Sequence, residues 1–327
     1  MPHKPKVSII ILNYQGLSTL GSLLDDAILS ALKQDYPNVE VLFVDNGSSD
    51  NSTNHVLSRY GDKVKVINLD KNYGFCLGNN LAAMYSSSDT KFLLFMNPDV
   101  ILSRDYVLKL VDLLEENPSI AAIQGLEINP LTNKKRVGGF IDSRGYSVDV
   151  EAFTESCPHV VINVLIPFGA ALLIRKDVFE RVGGFSAEFF MYADEVDLGF
   201  RIWALGYKIV GSTISSYQHY ISGIASKYPS LSWYFMTRNR LLLIIRYFYG
   251  KKLLKALIWN IILYIWNLTF KSIKQRFRVR LTLMIIKYIV KNLKRELRHR
   301  LKWKNLVKAR WNLLRHFIVE TRLVCKF

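Results

Sequence analysis

Acidic residues all but vanish from the last quarter of this chain. Residues 241–327 hold Glu296 and Glu320 against 22 lysines and arginines, a net of +20, whereas residues 1–240 balance 22 basic residues with 25 acids. The net charge of +17 over 327 residues thus has one source. This polarity excludes a uniformly basic protein and describes a near-neutral globular domain carrying a cationic attachment. Cysteine is scarce too: Cys76, Cys157 and Cys325 are odd in number and scattered. That fits neither a disulfide framework nor a zinc spacing, and favours a reducing compartment. Long apolar runs are missing. Residues 7–12 are too few for a signal-peptide core and read as a strand. Residues 253–270 are interrupted by Lys255, Asn260 and Asn267, marginal against the roughly 20 residues of a bilayer span. Neither G-x-G-x-x-G nor G-x-x-x-x-G-K-[ST] occurs, so a dinucleotide fingerprint and a P-loop are excluded. No internal repeat or low-complexity linker appears.

What is present is an alternation. Apolar, β-branched runs at 7–12, 39–44, 64–68 and 91–96 are separated by stretches of helical spacing at 19–34, around Val56 and Leu57, and at 79–85. This predicts an α/β fold, a mostly parallel sheet flanked by helices. The run at 91–96 is apolar almost throughout, as suits a strand buried on both faces, and Pro98 stops it. Asn97 and Asp99 then lie just beyond the carboxyl end of a central strand, the edge where open α/β sheets bind ligands. Asn13-Tyr14, Asp45-Asn46 and Asn68 with Asn72 end the other strands or follow them. Parallel geometry puts all four clusters on one edge, where Asn and Asp suit ribose hydroxyls, base edges and metal-bound phosphate. Taken alone, Asn97-Pro98-Asp99 could equally be a turn capping the next helix.

Further on, residues 106–114 predict an amphipathic helix, 120–123 a strand, 129–159 an irregular insertion, and 177–182 a short helix stopped by Gly183-Gly184. Asp194, Glu195 and Asp197 fall within four positions. Acids in a first helical turn are favoured by the dipole; the functional alternative is that one is a general base for an acceptor hydroxyl. His219, after another short strand, is either a satisfied structural histidine or a second metal ligand.

These residues together resemble the inverting family 2 glycosyltransferases of GT-A fold, especially their bacterial rhamnosyltransferase-like branch. The resemblance runs from Val7 to Leu243. It rests on the ordered series Asn13-Tyr14, Asp45-Asn46-Gly47-Ser48-Ser49-Asp50, Asn72-Tyr73-Gly74-Phe75 through Asn79-Asn80, Asn97-Pro98-Asp99, Phe168-Gly169-Ala170-Ala171, Gly183-Gly184-Phe185, Asp194 to Arg201, His219 and Arg238-Asn239-Arg240. It implies a nucleotide-sugar donor, dTDP-rhamnose first or a UDP-sugar, bound by Asn13, Tyr14, Asp45, Asn46, Asn72, Gly74, Asn79 and Asn97. Asp99 matches the last residue of the family's Asp-x-Asp metal motif and His219 a position that often completes a Mg2+ or Mn2+ site. Asn97 replaces the first carboxylate of that motif. Asp194-Glu195 matches the family's Glu-Asp base motif in reversed order; the reading leans to Asp194, with Glu195 beside it. Single displacement with inversion follows: a carboxylate deprotonates the acceptor hydroxyl, which attacks the anomeric carbon opposite the nucleotide.

The change in composition after residue 240 divides the chain into an expected catalytic domain, 1–240, and a basic amphipathic helical region, 241–327. Apolar runs, Trp259, Trp266, Trp303 and Trp311, and dense Lys and Arg describe helices lying on an anionic membrane surface. The nucleic-acid reading uses the same charge and aromatics, but runs such as 241–245 argue for lipid, and no nucleic acid is expected as partner. The expectation is a cytoplasmic enzyme at the inner face of the plasma membrane, acting on a lipid-linked saccharide. A processive synthase is disfavoured because a Gln-x-x-Arg-Trp motif and clear transmembrane helices are missing. A non-catalytic nucleotide-sugar or nucleic-acid binding protein with a basic tail is the alternative.

Overall fold

The computed structural model describes residues 4–151, 160–220, 229–269, 275–310 and 318–319. Cys157, Phe270, Trp311, Glu320 and Cys325, used above, lie outside the described residues. The first half alternates as the apolar runs require. Strands β1 (Lys6–Asn13), β2 (Val39–Asp45), β3 (Lys65–Asn68) and β4 (Thr90–Met96) are separated by α1 (Gly16–Leu20), α2 (Ser22–Leu32), α3 (Ser52–Tyr60) and α4 (Gly74–Ala83). Then come β5 (Val100–Leu102), α5 (Tyr106–Glu116), β6 (Ile120–Ile128), β7 (Lys135–Asp142), β8 (Ser147–Glu151), β9 (Val161–Asn163), β10 (Ala171–Arg175) and α6 (Lys176–Val182). The chain continues with α7 (Asp194–Leu205), β11 (Lys208–His219), α8 (Pro229–Tyr247), α9 (Gly250–Thr269), α10 (Gln275–Ala309) and β12 (Ile318–Val319).

β3, β2, β1 and β4 lie side by side and parallel. β10 runs antiparallel between β4 and β6, and β11 parallel to β6. The register aligns the polar strand ends: Asn13 faces Asp45, and Asp45 faces Asn68. Alternation of side chains sorts the apolar residues onto two faces. Ile9, Ile11, Phe92 and Leu94 pack with α2, α3 and α5. Ile10, Leu93 and Phe95 pack with α6 and α7, and with Leu242, Leu243, Tyr247, Trp303 and Val307 from α8 and α10. Residues of the cationic region thus belong to the same core layer as α7, and α8 runs unbroken through residues 240 and 241.

The stretch 129–159, expected to be irregular, instead contains the antiparallel hairpin β7–β8. Its residues Lys135, Arg136 and Asp149 mask the alternation, and Arg136 and Asp149 are consumed in ion pairs within the sheet. Elsewhere the expected helix at 19–34 is broken at Gly21, and α4 starts at Gly74, earlier than its apolar spacing suggests.

Candidate active site

At the carboxyl edge of β1 and β2, Asn13 donates through Nδ2 to Asp45 Oδ1 at 2.8 Å, and Asp45 Oδ2 accepts the Ser48 amide at 2.8 Å. Both side chains are buried, and Asn13 Oδ1 has no hydrogen-bond partner among the described residues. An unpartnered buried acceptor is costly unless a ligand donor meets it. Tyr14 follows, partly exposed. Asn46 binds the next loop from both ends of its amide: Nδ2 donates to Asn72 Oδ1 and to the Gly74 carbonyl, each at 3.2 Å, and Oδ1 accepts the Tyr73 amide at 2.9 Å. Asn79 is turned back into its own helix, donating to the Phe75 carbonyl at 3.0 Å.

Asp99 is buried and lies 3.5 Å from His219 Nε2. β5 and β11 bring the two together, since their pairing sets His219 opposite Val100. The other ring nitrogen, Nδ1, is 2.9 Å from Glu127 Oε1, and Arg136 donates to the same oxygen at 2.8 Å. Burial alone would lower the His219 pKa, but Asp99 and Glu127 outweigh it and raise it to about 9. Burial would raise Glu127, yet His219 and Arg136 hold it at about 2. A carboxylate fixing one imidazole nitrogen, with the other facing a second carboxylate, is the outer support that metal-ligating histidines use. Among the described residues no cluster of three or more His, Cys, Asp or Glu side chains is disposed to hold a metal. Asp99 and His219 are two side chains, so a divalent cation held there would need substrate phosphates to complete its ligands.

The second acidic cluster opens α7 after a strained turn. Phe190 (φ 63°), Tyr192 (φ 67°) and Ala193 (φ 62°) all adopt positive φ without being glycine. Gly74 is required beneath them: at φ 76°, any Cβ there would lie 2.5 Å from the Phe190 ring. Asp194 is 1 % exposed and its Oδ2 has no hydrogen-bond partner among the described residues, whereas Glu195 is only partly buried and accepts the Gly169 amide at 3.3 Å through Oε1. Burial and the Glu195 charge push the Asp194 pKa well up. Burial raises Glu195 as well, partly opposed by the Gly169 amide and by Arg136.

Residues 168–170 join these groups. The Phe168 amide donates to Gln124 Oε1 at 2.6 Å, Gly169 to Glu195, and the Ala170 carbonyl accepts the Asn97 amide at 2.9 Å. Gly169 and Ala170 are neighbours, about 3.8 Å apart at Cα, so Glu195 and the Asn97-Pro98-Asp99 turn hang from adjacent links of one strap. A cavity of about 700 Å³ lined by Ser88, Thr90, Lys91, Arg175, Lys176 and Tyr207 opens at the opposite, amino end of β4 and contains none of these groups.

The sequence profile described as Glycosyl transferase family 2 matches residues 8–183, more than half of the chain. The chain belongs to the family 2 glycosyltransferases. It is 27 % identical over 216 residues to an O-antigen biosynthesis protein, RfbC, of Myxococcus xanthus, covering 63 % of this chain and 16 % of that one. It is 24 % identical over 189 residues to the O-antigen chain rhamnosyltransferase WbaN of Salmonella anatum, covering 55 % and 56 %. The match thus takes in little of the first relative and about half of the second. Among solved structures it is similar to the mannosyltransferase PcManGT of Pyrobaculum calidifontis, determined with GDP-Man and Mn2+. There the TM-score is 0.56 at 14 % identity, over 94 % of this chain and 87 % of the other. The fold of this glycosyltransferase is GT-A, as its sequence implies.

Four residues of the transferase's polar network are not apparent from motif spacing. Glu127 is a lone acid inside the apolar strand β6, which is itself a signal, since a buried charge needs a partner. Arg136 sits in the stretch taken for irregular. Tyr217 donates to Glu127 Oε2 at 3.1 Å, and Gln124 donates to the Tyr217 hydroxyl at 3.2 Å. Together they link the Asp99–His219 pair to the strap that binds Glu195.

Proposed function

We propose that this glycosyltransferase moves a sugar from a nucleotide-diphosphate donor to a hydroxyl of a lipid-linked or polysaccharide acceptor, with inversion, Glu195 being the general base. The observation that carries this reading is the strap: Glu195 and the Asn97-Pro98-Asp99 turn are bound to adjacent residues, Gly169 and Ala170. Inversion asks for a base on one side of the sugar and diphosphate binding on the other. Asp194, leaned to from the sequence, is too enclosed to meet an acceptor, while Glu195 on the same turn keeps access to solvent. Its upward pKa shift makes it a stronger base than an ordinary carboxylate. Asn13, Tyr14, Asp45, Asn46, Asn72, Gly74, Asn79 and Asn97 form or support the donor pocket. Asp99 and His219 are the residues that would hold Mg2+ or Mn2+, which when bound neutralises charge on the departing diphosphate. The relative named as an O-antigen rhamnosyltransferase supports dTDP-rhamnose as the first donor to test, with UDP-sugars next. Transfer from a panel of labelled nucleotide sugars, with and without divalent metal, tests the reading; binding of donor without transfer or hydrolysis of any would favour the non-catalytic alternative.

The cationic region supports placement at the inner face of the plasma membrane. Among the described residues no helix is long and apolar enough to cross a membrane. However, α9 exposes Leu254, Ile258, Ile261 and Ile262, and α10 exposes Leu283, Ile286, Val290, Leu293 and Leu297, in each case at helical spacing along one stripe. Exposed Lys251 and Lys255 border the first, Lys287, Lys291 and Lys294 the second. The single acid between residues 241 and 310, Glu296, is fully buried, so every exposed charge there is positive. Apolar stripes bordered by cations fit an anionic lipid surface; a second copy would set like charges against each other.

A further inference from the structure

We propose that Arg238 and Asn239 are positioning residues for the transfer step, clamping the strained turn that aims Glu195. The inference rests on Glu195 as base but adds residues that touch neither donor nor acceptor. Three of the four residues before Asp194 have positive φ, a conformation that residues with a Cβ rarely adopt. Phe190 centres a γ-turn of the uncommon hand (φ 63°, ψ −57°), closed by the Met191 amide donating to the Phe189 carbonyl at 2.7 Å. Ala193 then enters α7 in the left-handed region. Such backbone persists only where its surroundings over-determine it.

Here the surroundings are two side chains of α8. Asn239, fully buried, directs Nδ2 at three carbonyls of the turn: Phe189 at 2.9 Å, Met191 at 2.7 Å and Tyr192 at 2.8 Å. Arg238 donates through one guanidinium nitrogen to the carbonyls of Glu188 at 2.6 Å and Phe189 at 2.9 Å. Its Nε donates to Asn239 Oδ1 at 2.9 Å, which fixes the orientation of the amide. The guanidinium is in turn held over the rings of Phe235 at 4.8 Å and of Tyr288 in α10 at 4.6 Å. Asparagine is a poor residue for a helix interior, and α8 satisfies its own backbone, so Asn239 is explained by the turn rather than by the helix. One turn earlier on the same helix, Phe235 stacks on Phe190 at 5.0 Å. The carbonyls that Asn239 holds end two residues before Asp194, so any relaxation of the turn passes directly into the first turn of α7.

The test is steady-state kinetics of Asn239→Ala with a competent donor and acceptor. A loss of order 100-fold in kcat is expected, the scale of a misplacement of about 1 Å, with donor KM within about threefold. Amides of residues 191–195 should exchange with solvent faster while those of β1 and β4 do not. Adding Ala193→Gly to this variant should recover about tenfold, because glycine takes positive φ without strain; a side chain needed only to fill the core would not be rescued there. Wild-type kcat in folded Asn239→Ala, or no recovery by Ala193→Gly, overturns the proposal. If Asn239→Ala does not fold, Arg238→Lys replaces it. Lysine keeps the charge but loses the fork, and an unchanged kcat in that variant overturns the clamp equally. Glu195→Gln measured alongside separates the two ideas: full activity there removes the base assignment, whereas the exchange data on residues 191–195 still decide for or against the clamp.

Discussion

Asp197 and the Asp194–Glu195 pair share the first turn of one helix, and the protein treats them in opposite ways. Asp197 is fully buried but surrounded by donors: Arg201 at 2.9 Å, Arg246 at 2.8 Å, Ser186 at 2.6 Å and the Tyr247 hydroxyl at 2.7 Å. Burial would raise its pKa, yet Arg201 and Arg246 hold it far below the usual carboxylate range. Asp194 and Glu195, by contrast, have no cation paired with either carboxylate among the described residues, and burial drives both upward. A compensated buried acid holds a fold together. An uncompensated one is destabilising, and its retention at the end of a strained turn is what a catalytic role would account for.

The largest effect should come from the uncompensated side. Glu195→Gln is expected to cut sugar transfer by roughly a hundred- to ten-thousand-fold, the range for loss of a general base. Donor affinity, read by isothermal titration, should change little. If Asp194→Asn shows that collapse and Glu195→Gln does not, the two members exchange roles and the exposure argument fails.

On the compensated side the loss should be in stability. Arg246 is fully buried and pairs with Asp197, Glu188 and Glu296, the last contact at 2.7 Å and also fully buried. Arg246→Met would leave three carboxylates without their common cation. Removing one partner from a buried ion pair costs about 3–5 kcal/mol, and denaturant titration should find a loss of that size. Since Glu296 lies on α10, limited proteolysis should also cut that helix sooner. A variant as stable as the wild type would mean that Arg201 alone suffices for Asp197.

That comparison also marks how far the sequence could be read. The polar edge of the sheet was legible because four apolar runs each stop at Asn or Asp, and a parallel sheet leaves those stops nowhere to go but one edge. The opening of α7 was legible from its cluster of acids. What distinguishes Asp197 from Asp194 was not, because the distinction is made by Arg246 and Tyr247, about 50 positions further along the chain. The hairpin β7–β8 was hidden by charges that pair within the sheet. The cationic region shows the same limit. A charge count sees the outer face of α10, while Glu296, Trp303 and Val307 on its inner face are buried against the catalytic core.

A smaller effect, and a diagnostic sign, should come from Asp194→Asn. An acid whose folded pKa is raised keeps its proton longer in the folded than in the unfolded chain. It therefore takes stability away as pH rises above its unfolded value, near 3.8 for Asp194. Asparagine removes that loss. The variant should match the wild type in thermal stability at acid pH and become progressively more stable than it toward neutrality. Equal pH profiles for the two proteins would mean that Asp194 is not held in an unfavourable charged state, and the contrast with Asp197 would lose half its force.

The smallest expected effects lie on the outer faces of α9 and α10, where they decide what those faces meet. A lysine near an anionic bilayer contributes about 1 kcal/mol, so Lys287→Ala and Lys291→Ala should each weaken co-sedimentation with phosphatidylserine-containing vesicles by roughly fivefold. Val290→Ser should weaken it by roughly tenfold, since burying a valine side chain contributes about 1.5 kcal/mol. The apolar share is not screened by salt. Vesicle binding should therefore decline but persist as ionic strength rises, whereas binding to nucleic acid would fall steeply and uniformly through counterion release. A tail that ignores Val290→Ser and loses all its binding with salt would be reading phosphates through charge alone, and the apolar stripes would then need a protein partner to cover them.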